Sequence, residues 1–314
     1  MKKLFALVLS CTLAGAAFAA PAKKAAKTAK APAKAEFIVV ESDTYAAGKE
    51  DPQLTAGIAG FLGVEPKVTK LTLAQAAQDA KLAGFDYSFL PLYIIKKTND
   101  IRQKLGQHIQ YGVAIEKEEY ILLPKQTNQG VYTNKTAQPK VMDLFVMSQC
   151  PYGVMAENLI IQAKKDGKLA DDKNIRVRYV VSYNEKDGFS SLHGSSEWEE
   201  DIRQLLIAKY YPSKFWKYLE IRNKDYRSSR WDKAMEEAGV NVKKIMKKFD
   251  TEGVELLKQE AKYASEYGIN ASPSFVWEGQ VKLDFGGVAA LEGFGFMNPN
   301  AAAGNNNAVP AGSC

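Results

Sequence analysis

The chain has 314 residues, of which 46% are hydrophobic and 25% charged, and it carries a net charge of +6 with only three cysteines. Residues 1–35 hold seven lysines and no acidic residue, so residues 36–314 carry a net charge of −1. A folded part so close to neutral gives no support for nucleic-acid binding, which needs a basic face. Three cysteines cannot staple a chain of this length, so its core must come from apolar packing.

Residues 1–19 have the pattern of a secretory signal peptide. Two lysines precede an apolar run that ends in the sequence AFA, which predicts cleavage before Ala20. The run is shorter than the roughly 20 residues of a membrane span, so an anchor is the weaker interpretation, and a lipoprotein cut before Cys11 is a second alternative. We expect an exported protein, periplasmic or secreted, without a membrane span, in a compartment where disulfides persist.

Residues 20–35 are a run of alanine, lysine and proline. The run has no bulky apolar residue, so it cannot build a core, and it predicts a flexible basic spacer. A tether to an anionic surface, such as lipid headgroups or a cell-wall polymer, is the alternative. The alternation of strand and helix patterns that marks a folded domain begins at Glu36.

Residues 36–123 alternate between strand and helix patterns and predict a first α/β domain. The main predicted elements, in chain order, are EFIVV (strand), PQLTAGIAGFLG (helix), PKVTKLTL (strand), LAQAAQDAKLAG (helix) and LPLYII, a strand that starts at Pro91. A short helical segment and an extended segment complete this domain. Residues 124–140 are polar and predict a linker.

The pattern then restarts and predicts a second α/β domain over residues 141–296. A strand, a helix that begins at Pro151 and another strand are followed by a long helical insertion, residues 190–268. A strand that starts at Pro273, its hairpin partner and a terminal helix close the domain. Residues 297–314 have no periodicity and predict a flexible tail.

The two halves match each other weakly in the order of their elements. The match places Thr44 opposite Cys150 and Pro91 opposite Pro273, and the first copy has no cysteine. The predicted architecture is therefore a tandem of α/β domains, of which the second contains an inserted helical subdomain.

Cys150 lies where a predicted strand passes into a predicted helix, in the sequence SQCPYG. The N–H groups and partial positive charge of a helix start favour the thiolate, which is the reactive form of a thiol. Pro151 suits the first helical turn, because its missing N–H would have no partner there. We expect Tyr152 to shelter the sulfur on one side, while Gly153 crowds it little on the other. A buried, inert cysteine is the alternative.

The order strand, CPYG, helix, strand, helical insertion, SPSF, hairpin and helix resembles the thioredoxin superfamily, in the DsbA-like branch with a helical insertion. The resemblance covers roughly residues 141–296 and implies that residues 36–123 are a second, degenerate thioredoxin-like domain. In that superfamily the motif is Cys-x-x-Cys, so Gly153 stands where a second cysteine is expected. The resemblance also implies that Pro273 is cis and that the Ser272 backbone pairs with a substrate segment, whereas the residues alone favour a trans bond.

A second resemblance is narrower. The sequence HGSSE, with His193, Gly194 and Glu197, is similar to the His-Gly-x-x-Glu signature of the gamma-interferon-inducible lysosomal thiol reductase family. The chain departs from that signature where the family has three cysteines and one asparagine, at Ser191, Trp198, Leu206 and Asp201. The histidines have no neighbours at metal-ligand spacing, so we expect no metal site, and a surface or structural histidine is the alternative.

The expected function is thiol–disulfide exchange, as a reductase or isomerase of protein disulfides, with Cys150 as the single motif cysteine. A dithiol enzyme frees its substrate with the second cysteine. Without one, the mixed disulfide must be resolved by an external thiol, a substrate thiol or a cysteine elsewhere. CPYG resembles a monothiol glutaredoxin motif, which favours the external thiol, whereas Cys314 in the tail favours the third route. For Cys314, a resolving role, intermolecular pairing and no role all remain open.

We expect the partners to be protein or peptide thiols and disulfides and a redox partner protein, without nucleic acid. An external thiol is the expected electron donor, and no cofactor is expected. The first domain, which has no cysteine, is expected to bind a partner or to form a homodimer. The alternative function is a binding or chaperone module that keeps a thioredoxin-like fold without catalysis.

Overall fold

The computed structural model describes residues 32–124, 128–169, 174–299 and 312–314. The predicted signal peptide and most of the predicted spacer lie outside these residues. The described chain forms two mixed β-sheets with helices packed against them, so the predicted α/β class is confirmed. No helix in the described ranges is long and apolar enough to cross a membrane.

The first half of the chain builds the first sheet. Its strands and helices are β1 (Ala33–Glu41), α1 (Pro52–Leu62), β2 (Val64–Thr72), α2 (Leu73–Gln78), β3 (Phe89–Leu90), β4 (Leu92–Lys96), α3 (Asn99–Lys104), α4 (Gly106–Gln110), β5 (Ile115–Lys117) and β6 (Tyr120–Leu123). The sheet order is β2-β1-β4-β6-β5, with β1 and β2 parallel and the other pairs antiparallel. Phe37 and Tyr93 lie in one buried cluster, whereas Val40 and Ile94 lie in another. Burial on both faces explains why β1 and β4 are nearly continuous apolar runs.

The start of α1 corrects the alignment of the two halves. α1 begins at Pro52, and the side chain of Asp51 accepts hydrogen bonds from the N–H groups of the first turn, as an N-cap residue does. Asp51 therefore holds the place that a reactive cysteine would take at the start of this helix. The predicted match of Thr44 with Cys150 is wrong, because a short 3-10 helix separates β1 from α1.

The second half supplies the second sheet and the helical insertion. Its elements are β7 (Gly130–Tyr132), β8 (Val141–Val146), α5 (Pro151–Lys165), β9 (Asn174–Tyr179), β10 (Ser182–Asn184), β11 (Gly188–Ser190), α6 (Ser195–Tyr210), α7 (Pro212–Arg222), α8 (Trp231–Ala238), α9 (Val242–Met246), α10 (Val254–Glu266), β12 (Ser274–Trp277), β13 (Val281–Leu283) and α11 (Phe285–Ala289). The sheet order is β3-β7-β13-β12-β8-β9. β8 has a parallel neighbour, β9, on one side and the antiparallel hairpin β12-β13 on the other. This is the arrangement of a thioredoxin fold, as the resemblance implied.

Two segments predicted as linkers are partly strand. β1 begins inside the predicted spacer, where Ala33 pairs with Val64. In the predicted linker 124–140, β7 pairs with β13 and with β3, so the first half of the chain adds a strand to the second sheet. Only glycine fits at position 130, because a Cβ there would lie 2.1 Å from the ring of Phe89. β7 has only three residues, too few to stand out from the polar sequence around them.

The predicted helical insertion is present as α6 to α10, with a π-helix at Phe249–Gly253 before α10. Helix α7 begins with Pro212 at its first position. The residue after α8 is Gly239, which caps the helix with a φ of 75°, a value that glycine adopts without strain. The insertion contacts β9 through α10 and α5 through α7. It is therefore packed beside the helix that begins at Cys150.

Candidate functional site

Cys150 is the N-cap residue of α5, and Pro151 is the first residue of the helix. The preceding loop is tight, because the Cys150 N–H donates to the Met147 carbonyl at 3.0 Å and the Val154 N–H donates to the Cys150 carbonyl at 3.0 Å. The strand–cysteine–helix geometry expected from the sequence is therefore present. The side chain itself is completely buried.

The Cys150 sulfur is joined to the sulfur of Cys314 by a disulfide, with the two Cα atoms 6.1 Å apart. Cys314 is also held by its backbone: its N–H donates to the Ser272 carbonyl at 2.8 Å, and the Ser272 N–H donates to the Cys314 carbonyl at 3.3 Å. The prediction of a flexible tail is therefore wrong for residues 312–314. Residues 300–311 of that predicted tail lie outside the described residues.

Ser272, the residue before Pro273, lies directly against Cys150. The Ser272–Pro273 bond is cis, as the resemblance implied, and so is the Leu90–Pro91 bond in the first half. The Ser272 carbonyl oxygen lies 3.4 Å from the Cys150 sulfur. The Ser272 hydroxyl accepts the N–H of Met147 at 2.9 Å, which ties the strand after the insertion to the loop that carries the cysteine.

Gly153 stands where the resemblance expects a second cysteine, and the structure leaves no room for one. A Cβ at this position would lie 2.6 Å from the Ser272 hydroxyl oxygen and 3.3 Å from the Met147 carbonyl oxygen. Contacts below 3.0 Å require one of the partners to move. The absence of a thiol at this position is therefore matched by the close approach of Ser272.

Two buried carboxylates of α6 hold the residues just before Cys150. The Ser148 N–H donates to Asp201 Oδ1 at 3.4 Å, and the Gln149 N–H donates to Glu197 Oε2 at 3.3 Å. The Ser148 hydroxyl donates to the Glu197 carbonyl at 3.1 Å. The helical insertion therefore holds this loop in place through Asp201 and Glu197, a role that the sequence did not predict for them. Their i, i+4 spacing, which places both acids on one helix face, was the only feature of the sequence that indicated a shared contact.

The HGSSE sequence lies at the start of α6 and belongs to this same contact. His193 Nδ1 contacts Glu197 Oε2, the oxygen that accepts the Gln149 N–H. The Gln149 side chain also donates to the Ser196 hydroxyl at 3.0 Å. His193 therefore touches the site through Glu197, and Asp201, which replaces the asparagine of the similar signature, bonds the loop directly.

Two carboxyl groups near the site have raised pKa values. Burial raises the pKa of Glu157, on α5, to about 7, although the Asn223 amide donates to it at 2.8 Å. Burial also raises the pKa of Asp201 well above its usual range, and the carboxylates of Glu197 and Glu200 raise it further. Glu200 has cationic partners, of which the Arg203 guanidinium is bonded to it at 2.9 Å. The folded state therefore favours the protonated form of both carboxyl groups.

A groove of about 930 Å³ opens beside Cys314. Its walls come from the end of β9, the β10-β11 hairpin and the end of α10, and it is lined among others by Met147, Val180, Tyr183, Leu192, Ile269 and Asn270. The lining mixes apolar side chains such as Val180 and Ile269 with polar ones such as Ser265 and Asn270. Of the seven predicted site residues, Cys314 lines the groove, Cys150 and Ser272 contact Cys314, and Gly153 lies against Ser272. Of the other three, Pro151 and Pro273 directly follow Cys150 and Ser272 in the chain, and Tyr152 lies against Gly312.

No protein-family profile and no curated protein sequence matches the chain, but solved structures do. One is the disulfide oxidoreductase DsbA from Proteus mirabilis, with 15% identity and a TM-score of 0.38 over 55% of this chain and 90% of that chain. Another is Proteus mirabilis DsbA with a non-covalently bound peptide, PWATCDS, with 13% identity and a TM-score of 0.38 over 57% and 94%. A third is the oxidoreductase NmDsbA1 from N. meningitidis, with 13% identity and a TM-score of 0.37 over 56% and 89%.

These solved structures are of the DsbA-like kind that the sequence resembles. The fold assignment for this chain rests on its own strand order and on the position of Cys150 between β8 and α5.

Replacing Gly153 with alanine is expected to lower the free energy of unfolding by about 1–3 kcal/mol, because the new methyl group must displace the Ser272 hydroxyl from Met147. In a Ser272→Ala background the same change should cost about 1 kcal/mol less. Denaturant unfolding of the oxidised protein measures both values. Gly57→Ala is the control: a Cβ there meets no atom within 4 Å in the described part of the chain. Equal costs in the two backgrounds would refute the proposed clash.

Glu157→Gln is expected to stabilise the protein more at pH 8 than at pH 5. The folded pKa of Glu157, about 7, lies above its ordinary value of 4.5, so the folded state keeps a proton that the unfolded state loses. The contribution of Glu157 to stability therefore falls as pH rises from about 4.5 to about 7. Glutamine does not titrate, so its advantage should grow over this window, by at most about 3 kcal/mol.

Unfolding free energies measured at several pH values give the comparison, with Glu237→Gln as an exposed control on α8. Parallel pH profiles for the Glu157→Gln variant and the parent protein would show that Glu157 does not hold a proton in the folded state.

Proposed function

We propose that this protein catalyses thiol–disulfide exchange, with Cys150 as the attacking residue and Cys314 as the residue that resolves the mixed disulfide. One observation carries the proposal: Cys314 is bonded to the Cys150 sulfur while its backbone pairs with Ser272, beside the start of α5. This supports the third of the routes open from the sequence, a cysteine elsewhere in the chain. The motif stays monothiol, and the second thiol comes from the C-terminal tail.

The start of α5 suits Cys150 to nucleophilic attack. The helix has 15 residues, and the partial positive charge and N–H groups at its start favour the thiolate over the thiol. Pro151 has no N–H group. The free N–H groups at the start of α5 therefore belong to the residues after Pro151. Once the tail leaves, the Cys150 sulfur lies next to a free backbone edge at Ser272.

In the reducing direction, the exchange has two steps. The Cys150 thiolate attacks one sulfur of a substrate disulfide, which forms the Cys150–substrate bond and releases the other substrate sulfur as a thiolate. The Cys314 thiolate then attacks the Cys150 sulfur and releases the second substrate thiolate. Two electrons pass to the substrate, whose thiolates take up two protons, and the protein is left with the Cys150–Cys314 disulfide. An external thiol or a redox partner protein, as electron donor, returns it to the dithiol.

The substrates that we propose are proteins or peptides that contain a disulfide. The protein reduces or isomerises this disulfide, depending on the electron donor. The Ser272 edge supports this class, because its N–H and C=O already pair with a peptide segment in the antiparallel way, and so does the groove beside it. We also propose export to the periplasm or the exterior, on the strength of the signal-peptide pattern in residues 1–19 and of a disulfide that such compartments preserve. The homodimer expected from the first half stays a prediction.

Cys150→Ser is expected to abolish the reduction of a disulfide substrate such as insulin by the full chain, because no thiolate is left at the helix start. Pre-reduced Cys314→Ser should instead accumulate a Cys150–substrate mixed disulfide, visible by mass spectrometry, and should release the second substrate thiol only when an external thiol is added, whereas the pre-reduced parent should release it in a single turnover without one. An effective concentration of the order of millimolar is typical of a tethered thiol, so the parent should resolve faster at micromolar external thiol. Cys11→Ser is the matched control and should behave like the parent.

A Cys150→Ser protein that still reduces the substrate would eliminate the enzymatic function and favour the binding or chaperone alternative. A pre-reduced Cys314→Ser protein that releases both substrate thiols without added thiol, as the parent does in a single turnover, would keep the activity but remove Cys314 from it.

A further inference from the structure

Residues 312–314 lie in the site as a bound peptide would. Cys314 makes both backbone hydrogen bonds with Ser272 and the covalent bond with Cys150. These three links fix the direction of the segment and its register, because shifting it by one residue would break all of them. Any other peptide that forms a disulfide with Cys150 while pairing with Ser272 must therefore follow the same path.

The path brings the residue two positions before the cysteine against Tyr152. In the chain this residue is Gly312, and a Cβ there would lie 2.5 Å from both Cε1 and Cζ of the Tyr152 ring and 3.0 Å from its hydroxyl oxygen. The ring is half-buried and packs against the apolar cluster that contains Cys150 and Met147. To admit a larger residue, the ring would have to shift relative to that cluster.

We propose that Tyr152 selects substrates in which a glycine stands two residues before the reacting cysteine, and that the tail of this chain occupies the site because it has that sequence. This proposal rests on the proposed function and adds its substrate class: peptides of the form Gly-x-Cys. Tyr152 acts as a specificity residue through the face of its ring, and its hydroxyl group is not required.

The test uses the full chain with Cys11 and Cys314 replaced by serine (C11S, C314S), which leaves Cys150 as the only thiol. Two peptides, Ala-Gly-Ser-Cys and Ala-Ala-Ser-Cys, each carry thionitrobenzoate as a mixed disulfide on the cysteine. The Cys150 thiolate attacks the peptide sulfur, forms the Cys150–peptide disulfide and releases the coloured thionitrobenzoate anion. The release rate gives the reactivity with each peptide, and mass spectrometry identifies the adduct.

With Tyr152 present, the glycine peptide should react at least about tenfold faster than the alanine peptide, since one methyl group in a tight site discriminates by this order. Tyr152→Ala should bring the ratio close to one, whereas Tyr152→Phe, which keeps the ring carbons, should preserve it. Because the ratio is taken within each variant, a change in the intrinsic reactivity of Cys150 cancels.

Equal rates for the two peptides with Tyr152 present, or a ratio unchanged by Tyr152→Ala, would overturn the selection by Tyr152 and leave the proposed function intact. If neither peptide reacts with any variant, Cys150 is not a working nucleophile, and the proposed function falls together with the inference.

Discussion

The site depends on Ser272, because its backbone and its hydroxyl group bind different parts of the site. Its N–H and C=O pair with Cys314, and the same carbonyl oxygen lies 3.4 Å from the Cys150 sulfur. Its hydroxyl binds the Met147 N–H and occupies the space that a side chain at position 153 would need. One serine thus positions the tail, the Cys150 sulfur and the loop, and explains why a motif that ends in glycine fits this fold.

The helical insertion contributes to the site at a cost in stability. Burying the carboxyl group of Asp201 is unfavourable unless it is protonated or fully bonded, and its Oδ2 has no hydrogen-bond partner in the described part of the chain. Asp201 nevertheless bonds the Ser148 N–H, and Glu197 bonds the Gln149 N–H. The loop before Cys150 is thus held in place by buried acids whose burial is itself unfavourable.

The sequence predicts those parts of the fold that depend on local patterns. Apolar runs and a proline in the first helical turn place β8, Cys150 and α5 correctly, and the resemblance predicts the cis bond before Pro273. β7 could not be predicted in this way, because three residues are too few to show a periodic pattern. The start of α1 after Asp51 was missed because a 3-10 helix lies between β1 and α1.

The position of Cys314 could not be derived from the sequence for a different reason. The contact joins residues 164 positions apart. The segment before Cys314 is rich in glycine, alanine and asparagine and has a single bulky apolar residue, Val309, so it shows no periodic pattern that would mark a packed element. What indicates a role for Cys314 is chemistry: Cys150 has no second cysteine in its motif, and Cys314 is the one cysteine that follows it in the chain. Asp201 and Glu197 bond loop N–H groups; their i, i+4 spacing places them on one helix face but does not show which loop that face meets.

The most direct test of this account is the identity of the disulfide in the oxidised, monomeric protein. Non-reducing proteolysis followed by mass spectrometry should yield one cross-linked pair, a peptide containing Cys150 joined to the C-terminal peptide containing Cys314, which disappears on reduction. Free thiols at both positions under mild oxidant, or a Cys314 linked only between two chains, would contradict the arrangement from which the site, the proposed reaction and the substrate selection all follow.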